Sequence, residues 1–479
     1  MNRLKLDRWL SIQSSMNTLS ILRAAVVAVS ALSSVLHAAD DRIENVVQRH
    51  LEPVIEAGLI PGAVVGVYVD GVESYYSVGF LDFENGVKPC FGTLYEIGSI
   101  SKVFTGVLFA DAVRRGEVSK DTLVDDLLPG GVDAKDYKGT EVRLWHLTSH
   151  TSGWPTGPAN LRSVDGEDPF ADYTLKKLYK YISAASPMTV PGEEFQYSNL
   201  AVGLLGTLIA QNADSEYEEL VTERIFEPLG IEDILISLDD EDLLRLAPAT
   251  SGGRMTKHWS TMGPLDGAGV WVASVPAMLG FAVANIEGGD GDVFESLEMA
   301  REPLADNAWG GRVGFGWMLA GDKTTWWHNG MTGGYSSYMA VNPTLEIAVV
   351  VLSNGASGYT TPAGAKIFQE LAGMDVEPVE IAKQGVDEDY AQRLVGEYKG
   401  TAFTIWITQK RGKVFARLDD QPVLALLPMD DEKRFRYEVV DAVLEFEIGD
   451  EGVGGGGGEA TKVTLFQNGM EMPCDRVED

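Results

Sequence analysis

The segment YEIGSISK, residues 95–102, places Ser99 and Lys102 three positions apart. Residues with this spacing lie on one face when the chain is helical. The sequence that follows predicts such a helix, because apolar residues recur at helical spacing and a glycine stands where the helix should end: Val103, Val107, Ala110, Val113 and Gly116. We therefore expect Ser99 at the first turn of a buried helix, with Lys102 beside it.

This pair has a chemical interpretation and a structural one. A lysine pressed against an apolar helix has its charged form disfavoured, so its amine can act as a base. A serine beside a base is an activated nucleophile. The alternative is that Ser99 caps the helix while Lys102 extends its charge to solvent. Taken alone, the two residues favour that alternative, because the spacing is common.

Composition limits the classes of function. At 479 residues the chain is long enough for two or three domains, and a hydrophobic content of 45% supports a substantial core. The formal net charge of −33 argues against nucleic acid or an anionic membrane surface as a partner. Cys90 and Cys474 are the only cysteines, which excludes a disulfide framework and favours two free thiols.

The N-terminus has the pattern of an export signal over residues 1–39. Basic residues precede the apolar run Ala24–Leu36, and small residues and two aspartates follow it. The run is too short to span a bilayer as a helix. We therefore predict an exported protein, periplasmic or secreted, with no transmembrane segment once the signal is removed. A start at Met16 and an uncleaved anchor are the alternatives.

Residues 40–373 combine helix and strand patterns. An amphipathic helix over Ile43–Gly58 precedes two β-patterned runs, Ala63–Val69 and Glu73–Phe80, joined by an Asp-Gly turn. Near the end of the region, Ser336–Val341 and Glu346–Leu352 predict a second hairpin with an Asn-Pro turn, and Glu346–Leu352 is almost wholly Ile, Ala and Val, as in a central strand. We predict the α+β class: an antiparallel sheet flanked by helices, with an all-helical subdomain.

The pattern changes after residue 373. Residues 374–389 are acidic and lack periodicity, which predicts a linker. Residues 390–479 predict a small all-β domain, either a barrel or a sandwich. The strands predicted there are Tyr398–Ile407, Val414–Leu418, Phe435–Val439, Val443–Ile448 and Val463–Gln467.

Two further segments carry polar side chains beside apolar helices. His146 and His150 are four residues apart, a spacing that some metal sites share, but no third ligand lies nearby. A hydrogen-bonded structural segment is therefore the preferred interpretation. Tyr197 and Asn199 stand in a loop that enters an apolar helix, where catalytic side chains often lie. The alternative is that both residues cap that helix.

Three elements stand in order along the chain: Ser99-x-x-Lys102, Tyr197-x-Asn199 and His328-x-Gly330. They resemble the motifs of the serine β-lactamase and penicillin-binding protein superfamily, most closely the class C β-lactamase branch with its DD-peptidase, D-aminopeptidase and esterase relatives. Three further segments resemble that branch: His146–Gly153, Val313–Trp317 and Gly330–Tyr338. The C-terminal domain resembles the lipocalin-like appendages of some members.

The resemblance implies a role for each motif residue. Ser99 would attack the acyl carbonyl, and Lys102 and Tyr197 would share the role of base. The backbone N–H groups of Ser99 and Met331 would form the oxyanion hole, and Asn199 would orient the substrate amide. Water would then hydrolyse a covalent acyl-enzyme. The resemblance implies no metal and no cofactor.

One position departs from the β-lactamase pattern, which has Lys-Thr-Gly where this chain has His328-Asn329-Gly330. The family lysine helps to hold the substrate carboxylate, whereas histidine is a weaker cation whose charge depends on pH. We expect His328 and Gly330 to bind substrate, and the substrates to be β-lactams or D-Ala-type amides and peptides. A small-ester carboxylesterase or a D-amino-acid peptidase of the same family is the alternative.

A function of another class also stays open. The chain could keep the fold without hydrolysis and act as an envelope sensor or binding protein. The presence of Ser99, Lys102 and Tyr197 together argues against that reading. We expect the partner to be a small molecule or a peptide, and the sequence leaves the oligomeric state open.

Overall fold

A computed structural model describes most of the chain after residue 40. The described residues are 41–82, 86–163, 165–381, 385–401, 403–410, 412–419, 423–429, 433–437, 442–449, 458–467 and 470–477. The predicted export signal, residues 1–39, lies outside them. Residues 41–56 form helix α1. None of the helices within these ranges combines the length and the apolarity that crossing a bilayer requires.

An antiparallel sheet of eight strands forms the centre of the region before residue 373. The strands described in this region are β1 Gly62–Val69, β2 Val72–Gly79, β3 Leu94–Glu96, β4 Ile234–Leu235, β5 Thr250–Ser251, β6 Arg254–Met255, β7 Val272–Ser274, β8 Ala305–Asp306, β9 Arg312–Val313, β10 Met318–Leu319, β11 Trp326–Met331, β12 Ser336–Asn342 and β13 Ile347–Ser353. The order in the large sheet is β2-β1-β13-β12-β11-β10-β9-β8.

The pairing of β1 with β13 joins the two ends of this region, because Ala63 lies opposite Ser353. Both hairpins expected from the sequence, β1–β2 and β12–β13, are present. A smaller sheet, β3-β7-β4, and the hairpin β5–β6 lie outside the large sheet. The predicted fold class is confirmed: an antiparallel sheet with helices around it.

Helices surround the sheet and form a separate helical layer. Their bounds are α2 Ser101–Arg114, α3 Val124–Leu127, α4 Leu144–Thr148, α5 Leu175–Ala184, α6 Asn199–Asn212, α7 Tyr217–Val221, α8 Glu227–Leu229, α9 Asp240–Arg245, α10 Val275–Glu287, α11 Asp292–Ala300, α12 Thr360–Leu371 and α13 Glu388–Leu394. Helix α2 is the most enclosed, since every residue from Ser101 to Ala112 is buried. Its apolar sequence therefore serves packing on all sides.

The C-terminal region forms a closed barrel of eight antiparallel strands, which decides between the barrel and the sandwich predicted from the sequence. Its strands are β14 Gly396–Lys399, β15 Thr404–Lys410, β16 Lys413–Leu418, β17 Leu424–Pro428, β18 Arg434–Tyr437, β19 Ala442–Ile448, β20 Ala460–Gln467 and β21 Met470–Arg476. Closure occurs where β14 pairs with β21.

One predicted strand is wrong. Tyr398–Ile407 was expected to be continuous, but the structure divides it into β14 and β15. The chain turns between them, and Gly400 N–H donates to Phe403 O at 2.9 Å. The apolar residues on both sides of this turn face the same barrel core, which is why the sequence alone resembles one strand. The linker predicted over residues 374–389 stays a prediction.

The barrel contacts the sheet-and-helix region through the hairpin β5–β6. The guanidinium of Arg254 lies 5.2 Å from the centre of the Phe415 ring. A Cβ placed on Gly252 would come within 2.8 Å of the same ring, so only glycine fits there. Lys413 Nζ also donates to Ala57 O at 3.2 Å. The two regions are therefore in direct side-chain contact.

Candidate active site

Ser99 lies in a short 3₁₀ turn, Gly98–Ile100, that continues directly into α2. This turn packs against β11 without room for side chains. A Cβ on Gly98 would come within 2.6 Å of Met331 N, and a Cβ on Gly330 within 1.9 Å of Ile97 O. The absence of both side chains lets the backbone that carries Ser99 approach the backbone of Met331.

Lys102 lies one helical turn after Ser99 and is fully buried. Its Nζ is 2.8 Å from Ser99 Oγ and donates to Ala268 O at 2.5 Å. Burial holds the pKa of the Lys102 amine well below its usual value, because the described surroundings provide no carboxylate to compensate the charge. A lowered pKa favours the neutral amine, the form that can accept the proton of the Ser99 hydroxyl.

Tyr197 lies next to the amine, with its ring centre 5.0 Å from Lys102 Nζ. Burial raises the pKa of its phenol, and a hydrogen bond with Ser99 acts in the opposite direction. The tyrosine loop ends where Ser198 caps α6, accepting from Ala201 N–H at 3.0 Å. The sequence allows Tyr197 and Asn199 as caps of this helix, but the capping residue is Ser198, which lies between them.

Asn199 begins α6 and is half-buried. Its backbone N–H donates to Thr156 O at 2.8 Å. Its side-chain oxygen is buried without a hydrogen-bond partner among the described residues. A buried amide oxygen of this kind can accept from a ligand, which is compatible with the predicted contact to substrate.

His328 does not behave as the sequence predicts. It is 1% exposed, and its Nδ1 lies 2.6 Å from Asn329 O, so Nδ1 carries the proton of the neutral ring. Burial lowers the pKa of His328 to about 3. The charge of His328 therefore depends on pH less than the sequence predicts, because desolvation favours the neutral imidazole. Its expected contact with substrate stays a prediction. Its ring centre lies 6.4 Å from that of Tyr197.

The two histidines of the 146–153 segment each accept a backbone hydrogen bond. His146 Nδ1 accepts from Arg143 N–H at 3.0 Å, and His150 Nδ1 accepts from Ser198 N–H at 3.1 Å. Burial lowers the pKa of His146 to about 4 and that of His150 well below its usual value. Both are hydrogen-bonded structural side chains, as the preferred interpretation expected.

Sequence reasoning missed two buried groups, one that contacts Lys102 and one that lies three residues before Ser99 in the chain. One is the carbonyl of Ala268, which ends a 3₁₀ helix over Gly263–Ala268. A backbone carbonyl leaves no mark on residue type, so no sequence signal identifies it. The other is Glu96, whose carboxylate accepts from Trp259 N–H at 2.5 Å. An acidic residue inside an apolar buried segment was the available signal.

A model of the Beta-lactamase family matches residues 47–373, more than half of the chain. A Beta-lactamase of Escherichia coli (strain K12) is 26% identical over 360 residues, covering 68% of this chain and 92% of that protein. Penicillin-binding protein 4 of Amycolatopsis lactamdurans is 26% identical over 347 residues, covering 67% and 88%.

A third relative carries a peptidase name. D-alanyl-D-alanine-carboxypeptidase/endopeptidase AmpH of Escherichia coli (strain K12) is 28% identical over 261 residues, covering 53% of this chain and 66% of that protein. The matched family region contains Ser99 and the buried Lys102, with Tyr197 beside them. This chain therefore belongs to the beta-lactamase family of serine hydrolases.

Proposed function

We propose that this protein hydrolyses β-lactams or D-Ala-type amides and peptides through a covalent acyl-enzyme on Ser99. The observation that carries the proposal is the distance of 2.8 Å between the buried Lys102 amine and Ser99 Oγ. A neutral amine in hydrogen-bond contact with a hydroxyl is the arrangement of an activated nucleophile. The names of the relatives support the substrate class.

The proposed reaction uses each side chain once per acyl transfer. Ser99 gives its proton to the Lys102 amine as Oγ attacks the carbonyl carbon, and the oxyanion lies between the N–H groups of Ser99 and Met331. The proton passes through the Tyr197 hydroxyl to the leaving group. Lys102 and Tyr197 titrate as a coupled pair, so the base role belongs to both. Water then releases the acyl group and restores the serine.

The acyl-enzyme is tested by covalent labelling. Wild-type protein should become labelled at Ser99 by a fluorescent penicillin or a fluorophosphonate, and Ser99→Ala should take up neither label. Both probes are needed, because a site with altered carboxylate recognition can react with one of them alone. Ser101→Ala is the control for a nearby serine. Full labelling of Ser99→Ala would show that the nucleophile is another residue.

A second candidate substrate class is favoured by the neutral state of His328. A neutral imidazole attracts a carboxylate less than a lysine does, since a charge-assisted hydrogen bond is about twice as strong as a neutral one. Small esters and D-amino-acid amides without that carboxylate lose nothing at this position. We therefore include a small-ester carboxylesterase or D-amino-acid peptidase activity in the proposal.

The two candidates are separated by His328→Lys, measured with nitrocefin and p-nitrophenyl butyrate between about pH 5.5 and 8.5. The variant should gain kcat/KM for nitrocefin and change little for the ester. His328→Gln, which adds no charge, is the control and should gain nothing. The wild-type profile should show no titration of His328 in this range, because burial lowers its pKa to about 3. If wild-type kcat/KM is higher for nitrocefin than for the ester by orders of magnitude, the esterase and peptidase candidate is wrong and the protein acts as a β-lactamase.

We further propose that the protein acts outside the cytoplasm on a small molecule or a peptide. The support is the sequence pattern of residues 1–39, in which basic residues precede an apolar run and small residues follow it. Mass spectrometry of the N-terminus in the periplasmic or secreted fraction tests this proposal. A protein that retains residues 1–39 in the cytoplasmic fraction would contradict it.

A further inference from the structure

The imidazole of His150 packs against the ring of Tyr197. Its ring centre is 4.4 Å from that of Tyr197, and the two ring planes are inclined by 31°. The imidazole is 0% exposed. Aromatic rings at this distance and tilt are in direct contact, so the imidazole limits the movement of the phenol ring. Tyr197 therefore rests on a rigid, buried surface.

His150 also holds the chain on both sides of Tyr197. Its backbone carbonyl accepts from Gln196 N–H at 2.7 Å, and its Nδ1 accepts from Ser198 N–H at 3.1 Å. One residue thus bonds to the residue before the tyrosine and to the residue after it. His150 adopts a left-handed conformation, φ +58°, which directs its carbonyl and its ring toward the same loop.

The hydrogen bond to Ser198 fixes the tautomer of the imidazole. Nδ1 accepts a hydrogen bond from Ser198 N–H, so the proton of the neutral ring is on Nε2. His150 Nε2 is buried without a partner among the described residues, and so is Nε2 of His328, the bare nitrogen of its ring. Neither group can supply charge, because burial holds the pKa of both rings below the physiological range.

We propose that His150 is the positioning residue for Tyr197, keeping its hydroxyl on Ser99. This proposal rests on the proposed acyl-enzyme function. The tyrosine lies in a loop before α6, and a displacement of about 1 Å in such a group can lower a rate by about 10². The stacked ring and the two flanking hydrogen bonds oppose that displacement. His150 itself touches neither substrate nor the reacting atoms.

The test uses His150→Asn. Asparagine adopts the left-handed conformation readily, and its side-chain oxygen can replace Nδ1 as the acceptor for Ser198 N–H, so the variant removes the stacked ring alone. We expect kcat for the best substrate to fall ten- to a hundredfold with KM within threefold. We also expect a displaced acid limb in the pH profile of kcat/KM.

His146→Asn is the matched control. His146 is also a buried histidine whose Nδ1 accepts a backbone N–H, but its ring packs against Trp145, with ring centres 4.1 Å apart. Its loss removes a comparable ring from the same segment without exposing Tyr197. We expect its kcat and pH profile to stay within threefold of the wild type.

A double-mutant cycle separates positioning from a general structural effect. In a Tyr197→Phe background there is no hydroxyl to place, so His150→Asn should lower kcat by less than threefold. An equal loss in both backgrounds would overturn the proposal, and so would His150→Asn kinetics within threefold of the wild type. The Ser99→Ala variant distinguishes a failure of the positioning proposal from a failure of the proposed function. If Ser99→Ala still turns over substrate, the proposed function itself is wrong.

A measurement on the unsubstituted protein covers the case in which the variant fails to fold. The chain contains six histidines. Selective ¹⁵N labelling with assignment of His150 should show a neutral ring protonated at Nε2. A ring protonated at Nδ1 cannot accept from Ser198 N–H, and that result would overturn the proposal without any substitution.

Discussion

The sheet-and-helix region and the barrel bury different kinds of side chain. Among the described residues, every buried polar or charged side chain outside the tyrosines lies between His50 and Thr360. The barrel, from Gly396 to Arg476, buries apolar and aromatic side chains and the thiol of Cys474. Both regions have well-packed cores, so packing alone does not require the polar groups that the first region encloses.

The sheet-and-helix region, and not the barrel, carries the free-energy cost of burying charged and polar groups. Burying a charged or polar group is unfavourable unless it is partnered, and the first region encloses Lys102 and Glu96 without an ion-pair partner for the amine. Perturbed ionisable groups of this kind concentrate at functional sites. Within its described residues the barrel buries no carboxylate, amine or imidazole; burial there raises the pKa of the Cys474 thiol to about 11, which favours its neutral form. We expect its contribution to be structural, through its own core and its contact with the β5–β6 hairpin.

The largest expected effect comes from Lys102→Met. Methionine fills the same buried space without an amine, so the protein should stay folded while the base is lost. We expect kcat to fall by about 10³ or more, at the upper end of what general acid–base catalysis supplies. Pre-steady-state acylation kinetics and circular dichroism together test this prediction. Lys323→Met, at an exposed lysine before β11, is the control and should leave kcat unchanged.

The second prediction concerns Gly330→Ala. Its Cβ would come within 1.9 Å of Ile97 O, a backbone atom that can move only with the Ser99 turn. The substitution should therefore separate the two proposed oxyanion donors, the N–H groups of Ser99 and Met331, and lower kcat by about 10², the cost of one such donor. Gly321→Ala is the control, because a Cβ there meets nothing within 4 Å. Equal kinetics for the two variants would contradict the close packing of this turn.

The third prediction tests the other side of the comparison. Leu444 is fully buried in the barrel core, and its truncation to alanine should cost about 2–5 kcal/mol of unfolding free energy in that region. We expect kcat/KM below the melting transition to stay within twofold of the wild type. Leu345→Ala, at a leucine that is 47% exposed, is the stability control. A parallel loss of kcat/KM would give the barrel a part in catalysis, through the contact of Phe415 with Arg254.

The sequence predicted the fold class and the two hairpins because their signals are local. Helical spacing after Ser99 and β-branched runs beside short turns are properties of neighbouring residues. Closure of the barrel depends on β14 pairing with β21, across most of the C-terminal region, and no local pattern specifies that register. The Tyr398–Ile407 prediction failed for the opposite reason, since two neighbouring strands share one apolar pattern.

The candidate site divides in the same way. Residue types suggested the positions of Ser99, Lys102 and Tyr197, and the structure brings these three together. The charge state of His328 was beyond the sequence, because it depends on burial rather than on the intrinsic pKa. The Ala268 carbonyl was also beyond it, because the position of a backbone atom follows from tertiary packing.

The fourth prediction concerns Glu96→Gln and the dependence of stability on pH. Glu96 is 2% exposed, and burial raises the pKa of its carboxyl to about 8 from a usual value of 4.5. Between these two values the folded protein keeps the proton and the unfolded chain loses it, so the unfolding free energy of the wild type falls as pH rises. Glutamine does not titrate, and its amide oxygen can still accept from Trp259 N–H.

The stability of Glu96→Gln relative to the wild type should therefore increase from pH 5 to pH 8. At 1.36 kcal/mol per pH unit, the increase is at most about 4 kcal/mol over this interval. Denaturant unfolding at three pH values measures it. Asp306→Asn, at a carboxylate that is 90% exposed, is the control and should show no comparable trend. Parallel curves for wild type and Glu96→Gln would mean that the buried carboxyl ionises at its ordinary pKa, and the contrast between the two cores would then rest on Lys102 and the histidines.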